Sequence, residues 1–335
     1  PEPVFRLSGP DLDGGPMLPS LARTNLVPYT GTFFGREAER SRLHSLLRDP
    51  GQRVTTVLGF GGIGKTTLAR VVAADLAEEF PAGRWWVDCE ALQSRQDLIA
   101  AVASAAGWAV DPYSPLEGLA RPIGDERVLL VLDCFEGIAD LADVVDALVV
   151  RCPRLQILVT SRVVLGLRIE TELELRGLDG RRGSSVPRAS MGLFEDAARR
   201  VLPTFRASGQ NRKLVRKIVE ALEHVPLALV IAAGRLRHIT LEELCQQVEE
   251  SLLRTVQSPS APQGRHAGLR QVIDASYRLL PEPDRKAAAA LSVFVGGFRL
   301  SEAASVLPNP LDSVSRLRDH SLLNADAAVE GSRYR

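Results

Sequence analysis

One nine-residue stretch constrains this chain more than any other: Gly59-Phe60-Gly61-Gly62-Ile63-Gly64-Lys65-Thr66-Thr67, with the spacing G-x-x-x-x-G-K-[ST]. Before it runs Val54-Thr55-Thr56-Val57-Leu58, β-branched and apolar, which reads as a buried parallel strand. After it, Leu68 to Ala74 reads as the opening turns of a helix. Strand, glycine turn and helix start, in that order, are what turn the spacing into a phosphate-binding loop. The glycines let successive main-chain N–H groups point into one concavity, which a Cβ would obstruct. The helix start adds unsatisfied donors and the positive end of a dipole. Lys65 can reach β- and γ-phosphates, and the Thr66 hydroxyl can ligate Mg²⁺. The stretch implies a bound nucleoside tri- or diphosphate, held by Gly59, Gly61, Gly62, Ile63, Gly64, Lys65, Thr66 and Thr67.

The pattern continues downstream. Arg84 to Cys89 reads as a second strand, Arg127 to Asp133 as a third, fully buried one, and Leu155 to Arg162 as a fourth. Helical stretches at Asp97–Ala106 and Ile138–Val150 lie between them. Such alternation predicts an α/β fold, a doubly wound parallel sheet over residues 32–180. Asp133 closes an apolar strand well beyond the loop, where a carboxylate can hold Mg²⁺ through water. Hydrolysis needs in addition a group that positions or activates water. Cys134, the next residue, is a poor base in an apolar setting; Glu136 is close enough to serve, but nothing in the sequence sets its direction. Arg162, at the C-terminal end of its strand, would face the phosphates and could sense a γ-phosphate by a charge-assisted hydrogen bond. On position alone it reads equally well as a solvated arginine. The expectation is slow or partner-dependent hydrolysis.

Length and composition set the surroundings. A chain of 335 residues has room for two or three domains. Formal charge is zero, so no global field draws nucleic acid or acidic membranes. Only four lysines stand against 37 arginines, which makes Lys65 in the loop harder to dismiss as chance. The four cysteines have no metal-ligand spacing and read as buried thiols of a reducing cytosol. No apolar run reaches membrane-spanning length, and a cytoplasmic location is expected. Residues 1–31, with six prolines, read as a linker or wrapping arm. Asp179 to Pro187 marks a boundary, beyond which the strand signal stops.

Residues 187–254 then read as a small helical domain, with helices at Leu193–Phe205, Asn211–His224 and from Thr240, where Thr240-x-x-Glu243 forms a capping box. Residues 255–264 read as a second linker. Residues 265–335, with helices near 269–280, 284–294, after Ser301 and at 312–319, then an alternating tail from Ser321, suggest a winged helix whose end is cut. The chain starts without methionine and stops inside what reads as a strand, so a piece of a longer protein is expected.

Six separated motifs carry a resemblance. Phe33-Phe34-Gly35-Arg36-Glu37, the glycine loop, Val131-Leu132-Asp133, Val159-Thr160-Ser161-Arg162 and Val225-Pro226-Leu227-Ala228 follow the order seen in STAND-class NTPases of the NB-ARC type. The stretches Arg265–Arg270, Ala275–Leu280 and Ser292–Phe298 resemble the bacterial branch of LuxR-type and related regulators. The resemblance covers about residues 30 to 335. It implies an adenine nucleotide, ATP or ADP with Mg²⁺, buried between nucleotide-binding, helical and winged-helix domains. It would set Phe34, Gly35 and Arg36 around the adenine, Pro226 over the base and Arg162 as the sensor arginine. His224 stands where the family has glycine, and Cys134 where it has a second acid. Pro3–Leu7 and Gly9–Leu12 look similar to the junction after bacterial class III nucleotide cyclase domains.

The function so implied is an ADP/ATP-dependent conformational switch in a larger regulatory protein. Input and effector domains would lie outside the chain, and the ATP state could assemble into homo-oligomers. Two other readings compete: a turnover ATPase, and a DNA-binding transcriptional module. Against the latter, residues 265–335 carry ten basic and eight acidic side chains, too little positive charge for a nucleic-acid footprint. No direct nucleic-acid or membrane contact is expected of this chain.

Overall fold

A computed structural model describes residues 24–109, 111, 113–178, 188–257, 277, 280–294, 297–319, 323, 325–326 and 333–334. The cyclase-like junction, the 179–187 boundary, the 258–264 part of the second linker and most of the 269–280 helix lie outside the described residues.

Five parallel strands form one sheet: β1 (Val54–Leu58), β2 (Gly83–Asp88), β3 (Val128–Asp133), β4 (Leu155–Ser161) and β5 (Glu170–Glu174). Their order is β2-β3-β4-β1-β5. The helices α1 (Glu37–Arg48), α2 (Lys65–Asp75), α3 (Arg95–Ala106), α4 (Pro115–Ile123) and α5 (Ala142–Arg151) cover the faces. Alternation along the central strands explains why both faces are dry. Leu130, Leu132, Ile157 and Val159 enter one core with α3 and α5 residues such as Leu98 and Val145. Leu129, Val131 and Leu158 enter the other with Leu43, Leu68 and Val72 of α1 and α2. Adjacent Trp85 and Trp86 likewise divide between the two cores.

The expected four strands are all present, and β5 is a fifth. A helix expected over 138–150 is a 3₁₀ segment, Phe135–Leu141, followed by α5. The arm is partly a sheet extension. Thr24 bridges Arg84 in parallel, and the Asn25 side chain both donates to the Trp86 carbonyl (2.8 Å) and accepts from its N–H (2.7 Å). Those bonds occupy main-chain groups of the β2 edge that would otherwise be open.

The helices that follow are α6 (Arg188–Val201), α7 (Gly209–Ala221), α8 (Pro226–Gly234) and α9 (Leu241–Gln257). They share a core of their own, with Phe194, Val215, Ile218, Leu229 and Leu244 all buried. The Thr240 capping box is formed: Thr240 N donates to Glu243 Oε2 at 2.8 Å and Glu243 N to Thr240 Oγ1 at 3.2 Å. Last come α10 (Glu282–Leu291), β6 (Phe298–Arg299), α11 (Leu300–Ala303), α12 (Pro310–Asp319), β7 (Ala325–Asp326) and β8 (Arg333–Tyr334). The short strands make an antiparallel sheet ordered β6-β8-β7, and Phe298 stacks on Tyr334. Among the described residues no helix is long and apolar enough to cross a membrane.

Candidate functional site

Strand order assembles the site. With β4 inserted between β1 and β3, the C-terminal ends of three neighbouring strands deliver the glycine loop, Arg162 and Asp133 to one edge. Ligands gather at that edge of open parallel sheets, where the order reverses about β1.

The loop leaves β1 and enters α2 through Gly64, whose φ of 98° is left-handed. Gly62 (φ 78°) is required twice over: a Cβ there would stand 2.6 Å from the Leu227 Cβ of α8. Lys65 opens α2 and folds back on the loop, its Nζ donating to the Gly59 carbonyl (2.7 Å) and the Phe60 carbonyl (3.2 Å). Burial lowers its pKa, with the Glu136 carboxylate acting against that shift. These two carbonyls hold the ammonium against the loop.

Thr66 and Asp133 meet directly: the Thr66 hydroxyl donates to Asp133 Oδ1 at 2.8 Å. Asp133 is 4% exposed, and burial raises its carboxyl pKa against the bonds from Thr160 and Thr66. Thr160, one residue before the end of β4, donates to the same oxygen and accepts from Cys134 N at 3.0 Å. A hydroxyl and a carboxylate this close are the hard oxygen donors that Mg²⁺ takes, so the residues fit the ion. Among the described residues there is no cluster of three His, Cys, Asp or Glu side chains suited to another metal.

Cys134 turns the chain with a left-handed φ of 58°, and burial pushes its thiol up to about 12. That turn aims Glu136 back toward the site. Its Oε1 pairs with Arg162 Nε at 2.7 Å, while its Oε2 is buried without a hydrogen-bond partner. The Arg162 guanidinium lies over Gly61, 3.5 Å from where a Cβ would stand.

The residues expected around the base fall into two groups. Arg36 is a buried clamp, donating to the Ile63 carbonyl (3.0 Å), the Arg176 carbonyl and Glu39 (2.9 Å). Its guanidinium therefore supports the loop from behind. Phe34 packs beside Gly192, and Gly35, with a left-handed φ of 62°, beside Ala189, both glycine neighbours lying on α6. Pro226 opens α8 next to Gly64, and the following amide, Leu227 N, donates to the Gly62 carbonyl at 3.2 Å. The helical module is thus seated on the phosphate loop itself. Thr67 continues α2 behind Thr66.

Two contributors escaped the sequence reading. Thr160 was visible only as part of the strand that presents Arg162; its hydroxyl signal is a polar residue at the penultimate position of a buried strand. Arg176 offers a main-chain carbonyl, for which no sequence signal exists.

Comparison with known proteins agrees with this geometry. Residues 32–159 match the model of a family described as "AAA ATPase domain". An uncharacterised protein of Mycobacterium tuberculosis is 33% identical over 283 residues, spanning 84% of this chain and 70% of the relative. A candidate HTH-type transcriptional regulator of the same organism is 32% identical over 292 residues, 84% of this chain and 32% of the relative. The regulatory protein AfsR of Streptomyces griseus is 28% identical over 69% of this chain and 23% of its own length. The chain thus spans a third or less of those regulators. Among solved structures, a STAND protein with a tetratricopeptide repeat sensor from Pyrococcus horikoshii superposes with a TM-score of 0.53 at 19% identity, covering 92% of this chain and 42% of that one. That likeness concerns the fold. The chain belongs to one family with the uncharacterised mycobacterial protein, and its residues 32–159, which carry the glycine loop, match the AAA ATPase domain model and have the P-loop NTPase fold.

Proposed function

We propose that the chain is the nucleotide-switched core of a signal-transduction ATPase of the STAND class, NB-ARC type, resting with ADP and active with ATP. The observation that carries this reading is the seat of α8 on the phosphate loop, through Leu227 N on the Gly62 carbonyl and Pro226 beside Gly64. Phosphate occupancy and domain placement then share the same few atoms, so a ligand that prefers one placement shifts the equilibrium. Lys65 and the loop amides would bind the phosphates, Phe34, Gly35 and Pro226 would border the base, and Thr66 and Asp133 would hold Mg²⁺. When bound, that ion screens the phosphate charge. The relatives named as regulators support a place in a regulatory protein, with residues 187–254 as the helical domain and residues 265–335 as a winged helix that packs within the chain. Homo-oligomers of the ATP state and a cytoplasmic setting belong to the same proposal.

Turnover should be slow. Cys134 cannot act as a base with its thiol near 12, and Glu136 is tied to Arg162. Mass spectrometry of gently purified protein should find ADP at near-unit occupancy, and Lys65→Ala should empty the site. A variant that retains the nucleotide as well as the parent does would refute the assignment.

A further inference from the structure

The two cations of the site are held in different ways. Lys65 is held by neutral main-chain carbonyls and can exchange them for phosphate oxygens. Arg162 is held by a carboxylate, Glu136 Oε1, at 2.7 Å. Glycine loops cradle the inner phosphates with the amides at their helix end. Their lysine reaches the β- and γ-phosphates, and Arg162, over Gly61 and within electrostatic reach of Lys65, stands on the side a third phosphate would take.

We propose that Glu136 sets the ATP-versus-ADP preference by competing with the γ-phosphate for Arg162. Resting on the nucleotide site assigned above, this gives Glu136 a role as gatekeeper of the third phosphate. ADP enters without disturbing the Arg162–Glu136 pair. ATP must break it, and the freed carboxylate then faces the negative charge of the triphosphate tail. The second oxygen, Glu136 Oε2, is buried with no hydrogen-bond partner, so the carboxylate is incompletely satisfied even in the latched arrangement. Lys65 lies within electrostatic reach of both Glu136 and Arg162, so all three charges respond to the same ligand. Arg162 is 63% exposed, which keeps the latch weak enough for a phosphate to open.

The test is a binding cycle with the fluorescent analogues mant-ADP and mant-AMPPNP, each with Mg²⁺, on the parent, Glu136→Gln, Arg162→Ala and the double variant. Glu136→Gln should tighten AMPPNP about fivefold, as expected for release of a half-exposed ion pair, and leave ADP within about twofold. Arg162→Ala should weaken AMPPNP selectively, and in that background the Glu136→Gln gain should fall below about twofold. Equal effects on both nucleotides, a weaker AMPPNP complex in Glu136→Gln, or a full gain without Arg162 would each overturn the latch while leaving the nucleotide site standing. A parent protein that binds neither analogue would sink both proposals together. Glu136→Asp provides the folding control: it retains the charge but shortens the reach, and should fall between parent and Glu136→Gln.

Discussion

Asp133 sits where its carboxylate is useful to a cation and costly without one. Burial raises its pKa against the opposing pull of the Thr160 and Thr66 hydroxyls and the Arg70 charge. A folded-state pKa above the unfolded value means that protonation favours the fold. This contribution is complete below the ordinary aspartate value of 3.8 and is lost as pH rises through the folded value. The metal-free protein should therefore gain stability from Asp133→Asn at pH 7, and the gain should shrink at about pH 3.5. Thermal melts in EDTA would check this; a difference that grows toward acid would contradict it. Thr160→Val tests the other half of the arrangement. It removes a buried donor to Asp133 and the half-buried acceptor of Cys134 N–H, and should cost about 1–3 kcal/mol in urea unfolding. The same substitution on an exposed threonine should cost almost nothing.

Within the helical module, between α7 and α8, the chain passes through two consecutive left-handed residues, Glu223 (φ 53°) and His224 (φ 59°). Non-glycine residues pay about 1–2 kcal/mol each for that conformation. The surroundings enforce it. Leu178 N donates to the His224 carbonyl (2.9 Å), Ser190 Oγ lies 3.1 Å from His224 Nδ1, and Gly177 leaves room for the Glu223 carbonyl. Glu223 is exposed, so Glu223→Gly should relieve strain with little loss of contact and stabilise by about 0.5–1 kcal/mol, read as a higher urea midpoint. Destabilisation would mean the side chain contributes more than its backbone costs. The same scale shows what the sequence could and could not reveal. β3 was legible because burial on both faces leaves an apolar run, β1 and β4 because β-branched and aliphatic residues dominate them, and α9 because its capping box is local. β5 was not, since Glu170-Thr171-Glu172-Leu173-Glu174 is charged and its partner among the described residues, β1, lies over a hundred residues earlier. α4 was hidden by Gly118 and Pro122. At the site, the loop, Asp133 and Arg162 were visible through spacing, whereas the aim of Glu136 depends on the left-handed turn at Cys134, which no pattern of residue types announces.

At the scale of the molecule, Phe60 lies where the parts meet. It stands in the phosphate loop and packs against both the sheet core and the helical core, the latter otherwise built from residues between Met191 and Val248. Two separately buried cores meet through that ring, the Leu227–Gly62 and Leu178–His224 main-chain bonds, and the packing of Phe34 and Gly35 against α6. Interfaces of that kind permit relative motion unless a ligand bridges them. A nucleotide held by the loop on one side and Pro226 on the other would supply the bridge. Bound ligand adds RT ln(1 + [L]/Kd), about 2.7 kcal/mol at a hundredfold excess over Kd. The parent should therefore unfold in one calorimetric transition with saturating Mg-ADP. Phe60→Ala without nucleotide should divide that transition into two, and saturating Mg-ADP should draw them together again. The readout is the ratio of van 't Hoff to calorimetric enthalpy, near one for a single unit and above one only for linked copies. If Phe60→Ala lowers the midpoint but leaves that ratio at one with and without nucleotide, the two cores unfold as a unit, and a switch that works by separating them would have to move along another seam.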